Sequence, residues 1–346
     1  MKQPARFSVR NLLLVGGLSL ALSLSLWACS GDTEQALTSP QFTRPGLDLS
    51  ITHPQIQTVM RVQDQHTPDL MQVPGVVGTA TSQNASGEIV IKVYTEDEFP
   101  KGKLPAAIEG IEVVSQASGR IVAFKGPPGG GGGGGGGGAD PRAPQSAPIK
   151  LGTSGGWADD LANGYCCGGT IGSLIKDGNG NQYVLSNYHV LYADIVSGGN
   201  GIVASAGDNV IQPALIDVGC NKNNALAVAT LLSPSTGASL PSGNIDAGIA
   251  AVIPGQVAPD GEILDIGTIS SSTVAAFIGQ GVKKMGRTTG LGRANVDGLN
   301  ANIQIGYENE CAGGSAFTKT FTGQIITTND RCKFLDGGDS GSLMVE

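Results

Sequence analysis

At 346 residues the chain is long enough for two ordinary domains, and with 40% apolar residues it can bury real cores. Aromatics make up 5% and charged residues 14% while glycine reaches 54 positions, a profile that favours β-structure over helical bundles. The net charge of −8, with no Lys/Arg run and no basic helix, argues against nucleic acid as a partner.

Residues 1–28 read as a signal peptide. Lys2, Arg6 and Arg10 precede an apolar stretch as long as a signal core and shorter than most spanning helices, so the chain is expected to be exported. Its end, Leu26-Trp27-Ala28-Cys29, resembles a bacterial lipobox, which makes Cys29 the expected lipidation site and the membrane an expected partner through that anchor. Residues 29–45 then serve as a linker, and 46–125 as a small α/β module. Within the module, Ile56, Val59 and Met60 stand at helical spacing after Pro54. The β-branched runs "VPGVVGTA" and "EIVIKVYTE", split by "SQNASG", predict a hairpin, and "IEVVSQASGRIVAFK" predicts another. His53 and His66 sit in the polar helix without a cysteine or carboxylate cluster and are read as surface residues.

Residues 129–138 are ten consecutive glycines flanked by prolines, a composition that buries nothing and loses maximal entropy on ordering, so 126–149 is read as a tether. Beyond it, in 150–346, short β-like runs alternate with turn signals such as Asp177-Gly178-Asn179-Gly180, and no long capped amphipathic helix is found. If Cys29 carries lipid, five cysteines are left, which allows at most two bridges. The expected pairs are Cys311 with Cys332 and Cys220 with either Cys166 or Cys167. No zinc-ligand spacing is present, and no metal or cofactor is expected.

The turn "DGGDSGS", Asp336 to Ser342, raises the question of a nucleophile at Ser340. A serine hydroxyl needs a base within hydrogen-bond reach and a third group to hold that base in the right tautomer. His189, in "VLSNYHVLY", is the one histidine downstream of the tether, and it falls just past a predicted strand where a loop can present it to a cleft. Asp246, between the turn "PSGN" and an apolar strand, is the candidate orienting carboxylate, with Asp208 and Asp217 as competitors.

In this order, His189, Asp246 and Ser340 resemble the triad of the chymotrypsin-like serine proteases. The resemblance covers most of 150–346 and rests on "CGGTIGSLI", "LSNYHV", "NIDAGIA", "VKKMGRTTG" and "GGDSGS". "GRTTG" and "SNYHV" point to the bacterial branch. Val190 takes the place where digestive members carry a cysteine, so the disulfide bracing their histidine loop is not expected.

The resemblance implies an all-β fold of two six-stranded antiparallel β-barrels, a peptide or protein substrate, and an oxyanion hole from the backbone N–H groups of Gly338 and Ser340. An α/β-hydrolase is excluded because Ser342 stands where the last glycine of G-x-S-x-G belongs and the histidine precedes the serine. Family members continue for several tens of residues past the serine, so the resemblance implies either that the sequence is a fragment, truncated after the serine, or that the second barrel is incomplete. Phe334 and Leu335 suggest an apolar pocket floor. The module before the tether is expected to act as a pro-region or as a permanent anchoring module.

Overall fold

The computed structural model describes residues 49–100, 102–123, 139–162, 165–192, 204–233, 244–307, 317–328 and 334–346. The signal segment, Cys29, the glycine tract, Cys311 and Cys332 lie outside the described residues. As expected, the described architecture is mostly β, with two large sheets and few helices.

Helix α1, Pro54–Leu70, starts where the Nδ1 of His53 accepts from the Gln55 N–H at 3.3 Å and where Pro54 forfeits an N–H the first turn does not need. It buries Ile56, Val59, Val62 and Leu70 along one face. Its other histidine, His66, is paired with Glu109 at 3.1 Å on the surface. The expected hairpin forms between β1, Val76–Gln83, and β2, Ile89–Thr95, with the Asn84 side chain accepting from the Ser86 and Glu88 N–H groups at its turn. Short β3, Ala107–Ile108, pairs antiparallel with β4, Ile111–Ala117, which joins β2 in parallel.

The second hairpin is not formed. Ser118 N–H bonds Thr95 O and Gly119, at φ +72°, turns the chain away, so that β5, Val122–Ala123, leaves β4 and pairs elsewhere.

Past the tether come β6, Thr153–Trp157, and the small hairpin of β7, Leu161–Ala162, and β8, Tyr165–Cys166. They are followed by β9, Gly169–Ile171, β10, Ser173–Lys176, β11, Gln182–Ser186, and the single-turn helix α2, Tyr188–Leu191. Then come β12, Asn209–Gln212, β13, Leu226–Leu231, and β14, Gly248–Val252. Seven of these strands form a sheet in the order β10-β11-β14-β13-β12-β6-β9. Its two ends meet, because β9 runs into β10 through Gly172, whose N–H bonds Leu185 O at 3.0 Å. Counted as one bent strand, β9 and β10 make this a nearly closed, six-membered barrel. Ile149, Leu151, Ile171, Val184, Leu191, Val210 and Val228 fill it.

The second sheet contains β15, Gly281–Gly286, the long β16, Gly290–Tyr307, β17, Phe317–Thr327, and β18, Met344–Val345. It is not confined to the downstream half. β16 pairs antiparallel with β1 and parallel with β5, so one nine-stranded sheet crosses the tether. Ile56, Val59, Ile91 and Val93 share a core with Val282, Val296, Leu299 and Phe334. Lys92 Nζ lies 2.8 and 2.9 Å from the two oxygens of Asp297, and Tyr94 adds a hydrogen bond of 3.0 Å to the same carboxylate. Phe334, expected at a pocket floor, is therefore spent on this core, while Leu335 is exposed.

Candidate active site

The barrel strand β11 ends at Ser186, and Asn187, in extended conformation, caps the one turn of α2 that carries His189. Asp246 stands in the turn ahead of β14, which pairs with β11, so the sheet register itself brings the two side chains together. The His189 Nδ1 and Asp246 Oδ2 are 2.6 Å apart, the His189 backbone N–H donates to Oδ1 at 3.1 Å, and Asn187 Nδ2 donates to the Asp246 carbonyl at 2.5 Å. Both side chains are shielded, 4% and 12% exposed. Burial alone would raise the Asp246 pKa, but the adjacent imidazole, its ring and backbone N–H groups and the Tyr307 hydroxyl outweigh it and hold the carboxyl below its ordinary value. The opposite ring nitrogen, His189 Nε2, is buried without a hydrogen-bond partner among the described residues. An imidazole donating at Nδ1 and carrying a lone pair at Nε2 is the tautomer a general base requires.

Two aromatic residues that the sequence did not single out hold α2 in place. Tyr188 and Tyr192 stack with centroids 4.7 Å apart, and Tyr192 hydroxyl donates to Ile249 O in β14 at 3.0 Å. A Cβ on Gly248 would approach the Tyr192 ring to 3.0 Å, so glycine lets the ring pack here without being pushed back.

The Ser340 turn docks on the same barrel edge. Thr170 N–H donates to Ser340 O at 2.8 Å, Thr170 Oγ1 donates to Gly338 O at 3.0 Å, and Ser186 Oγ bonds Thr170 O at 2.7 Å. A Cβ built on Gly169 would touch both Ser340 O, at 2.8 Å, and the Val190 side chain. The Ser340 carbonyl and the side chain of Val190, the residue next to His189, thus both lie against Gly169 of β9, and Ser340 is half-buried.

The turn is clasped by the "GRTT" segment that follows β15. Asp339, fully buried, accepts from the N–H groups of Thr288 and Thr289 on Oδ1, and from Thr289 Oγ1 and Asp336 N–H on Oδ2. Lys284, also buried, lies 3.2 Å from that Oδ2. Burial lowers the Lys284 pKa, and the Asp339 charge offsets part of that shift.

The competing carboxylates are engaged elsewhere. Asp217 holds Arg287 through two contacts of 2.6 Å and accepts from Ser154 Oγ at 2.5 Å. Asp208 accepts from Trp157 Nε1 at 3.1 Å and from Ser205 N–H. Cys166 and Cys220 form a disulfide, as one of the two expected alternatives, and Cys167 is disulfide-bonded as well. Among the described residues no helix is long and apolar enough to cross a membrane, and no group of three metal-ligating side chains is found.

No family model matches the chain, and no characterised sequence matches it either. Among solved structures it is similar to a glutamic acid specific serine protease, at 20% identity and TM-score 0.35, over 57% of this chain and 80% of that one. Thermobifida fusca protease A matches at 20% identity and TM-score 0.33, over 57% of this chain and 77% of that one. Cellulomonas bogoriensis chymotrypsin matches at 18% and 0.32, over 57% and 76%.

Proposed function

We propose that this protein is an exported serine endopeptidase. Ser340 attacks the peptide carbonyl, and His189 Nε2 takes the hydroxyl proton and later returns it to the leaving amine. Asp246 holds the ring and balances the imidazolium. The N–H groups of Gly338 and Ser340 receive the developing oxyanion.

The observation that carries the reading is the buried Asp246–His189 pair at 2.6 Å, with Nε2 unpartnered and the Ser340 turn bonded to the adjoining strand. A structural histidine in a core would be expected to have both ring nitrogens satisfied. Export and a lipid anchor on Cys29 rest on the leader sequence. The shared sheet and the Lys92–Asp297 pair favour a module that stays with the catalytic half over a pro-region that departs.

Hydrolysis of denatured casein by the purified protein, with Ser340→Ala and His189→Ala as controls, tests the activity. Cleavage that both substitutions abolish supports the endopeptidase. Cleavage indifferent to Ser340→Ala overturns Ser340 as the nucleophile, and no cleavage at all supports instead a catalytically inactive, protease-like binding module.

A further inference from the structure

Tyr307 is the last residue of β16 and was not among the residues the sequence marked for chemistry. Its hydroxyl donates to Asp246 Oδ2 at 3.1 Å, and this is the same oxygen that His189 Nδ1 meets at 2.6 Å. The other oxygen, Oδ1, accepts the His189 backbone N–H. With its oxygens engaged from different directions, the carboxylate has no rotation about χ2 that keeps every bond.

The Tyr307 ring is itself fixed. It is 4% exposed, stands edge-on to the His189 ring with centroids 6.0 Å apart at 77°, and tilts against Phe321 at 6.5 Å. Its backbone is held on one side by β17 through Phe317 and on the other by β5 through Ala123. Burial and then the Asp246 charge push its ionisation well above the ordinary value for tyrosine, so the hydroxyl keeps its proton and stays a donor.

We infer that Tyr307 is a positioning residue of the proposed hydrolysis, which through its hydroxyl fixes the Asp246 carboxylate and thereby the tautomer and orientation of His189. This rests on the serine-endopeptidase reading. It also ties that site to the segment before the tether, because β5 is one of the two strands that place Tyr307. A residue that acts only by filling space would be replaced by phenylalanine without chemical consequence, whereas a donor to a charged group would not.

The direction of the effect follows from the charges. Among the described residues, the titratable groups that meet the His189 ring are Asp246, from the turn ahead of β14, and Tyr307, from β16. A hydroxyl donor draws negative charge from the carboxylate, so its removal leaves Asp246 a stronger partner for the imidazolium.

Tyr307→Phe is compared with the parent in the full chain by steady-state kinetics on a peptide substrate and by the proton NMR signal of His189 Nδ1–H. The expected result is a kcat lower by about ten- to a hundredfold, a KM within about twofold, an acidic limb of the pH–rate profile moved to higher pH, and a displaced Nδ1–H resonance. Unchanged kcat, limb and resonance in a folded variant overturn the inference.

Should the phenylalanine variant not fold, 3-fluorotyrosine placed at position 307 keeps the ring and strengthens the donor, and the limb and resonance should then move the opposite way. No movement there overturns the inference too. The resonance also separates the two readings: if the parent hydrolyses nothing, the peptidase reading fails, while a shifted signal in Tyr307→Phe still shows that the hydroxyl acts on the pair.

Discussion

Replacing Gly338 with alanine is expected to remove most activity while leaving the protein folded. Gly338 sits at φ +96°, and a Cβ there would lie 2.5 Å from Thr288 Oγ1 and 2.7 Å from Arg287 Nη1. Neither neighbour can yield easily, since Thr288 Oγ1 is bonded to Gly337 O at 2.5 Å and Arg287 is clamped twice to Asp217. The turn must therefore rotate, and with it the Gly338 N–H proposed for the oxyanion hole.

The left-handed backbone costs a non-glycine residue about 1–3 kcal/mol, which corresponds to a Tm lower by roughly 1–4 °C in a protein of this size. Loss of one oxyanion donor costs about 100- to 1000-fold in kcat. Gly180→Ala is the control, because Gly180 has φ +84° with nothing within 4 Å of the added Cβ, so it shares the backbone strain without the collision. The assay is kcat/KM on a peptide amide together with thermal unfolding. If Gly338→Ala loses the same few degrees as Gly180→Ala and keeps kcat/KM within about threefold, the placement of the oxyanion hole at this turn is wrong.

Lys284→Met, which strips the buried partner of Asp339, is expected to destabilise the fold by about 3–5 kcal/mol, as removal of one member of a buried pair does, and chemical denaturation should show it. Removal of Cys166–Cys220 alone by the paired substitution Cys166→Ala and Cys220→Ala, a bridge that closes a separation of 54 residues, is expected to cost about 4 kcal/mol by the chain-entropy account, read as a lower denaturation midpoint than the parent without reductant. Asp246 has its folded-state pKa held below 3.8, so its contribution to stability is present above that unfolded value and is lost as pH falls through the lower folded value. Asp246→Asn should therefore flatten the dependence of Tm on pH below about pH 4 and lower kcat by about four orders of magnitude.

Where chemistry is local, the sequence spoke clearly. Pro54 with the spacing of Ile56 and Val59 placed α1, and the Asn84 turn between β-branched runs placed β1 and β2. His189 and Asp246 were legible because each flanks a strand, and those strands turned out to be adjacent. What stayed hidden depends on pairing between distant segments. Nothing in "IEVVSQASGRIVAFK" shows that β4 will join β2 in parallel while β5 crosses to β16, since strand partners are chosen by tertiary packing. Tyr307 carries no motif, and its role follows from that same crossing. Asp217 looked like a rival to Asp246 until Arg287, 70 residues away, was seen to occupy it.

The most direct test of the account is covalent labelling of the intact protein with a fluorophosphonate, followed by mass mapping of the adduct. One adduct is expected, on Ser340, absent in Ser340→Ala and formed far more slowly in His189→Ala. An adduct on another serine, or none under conditions that label a known serine protease, would contradict it.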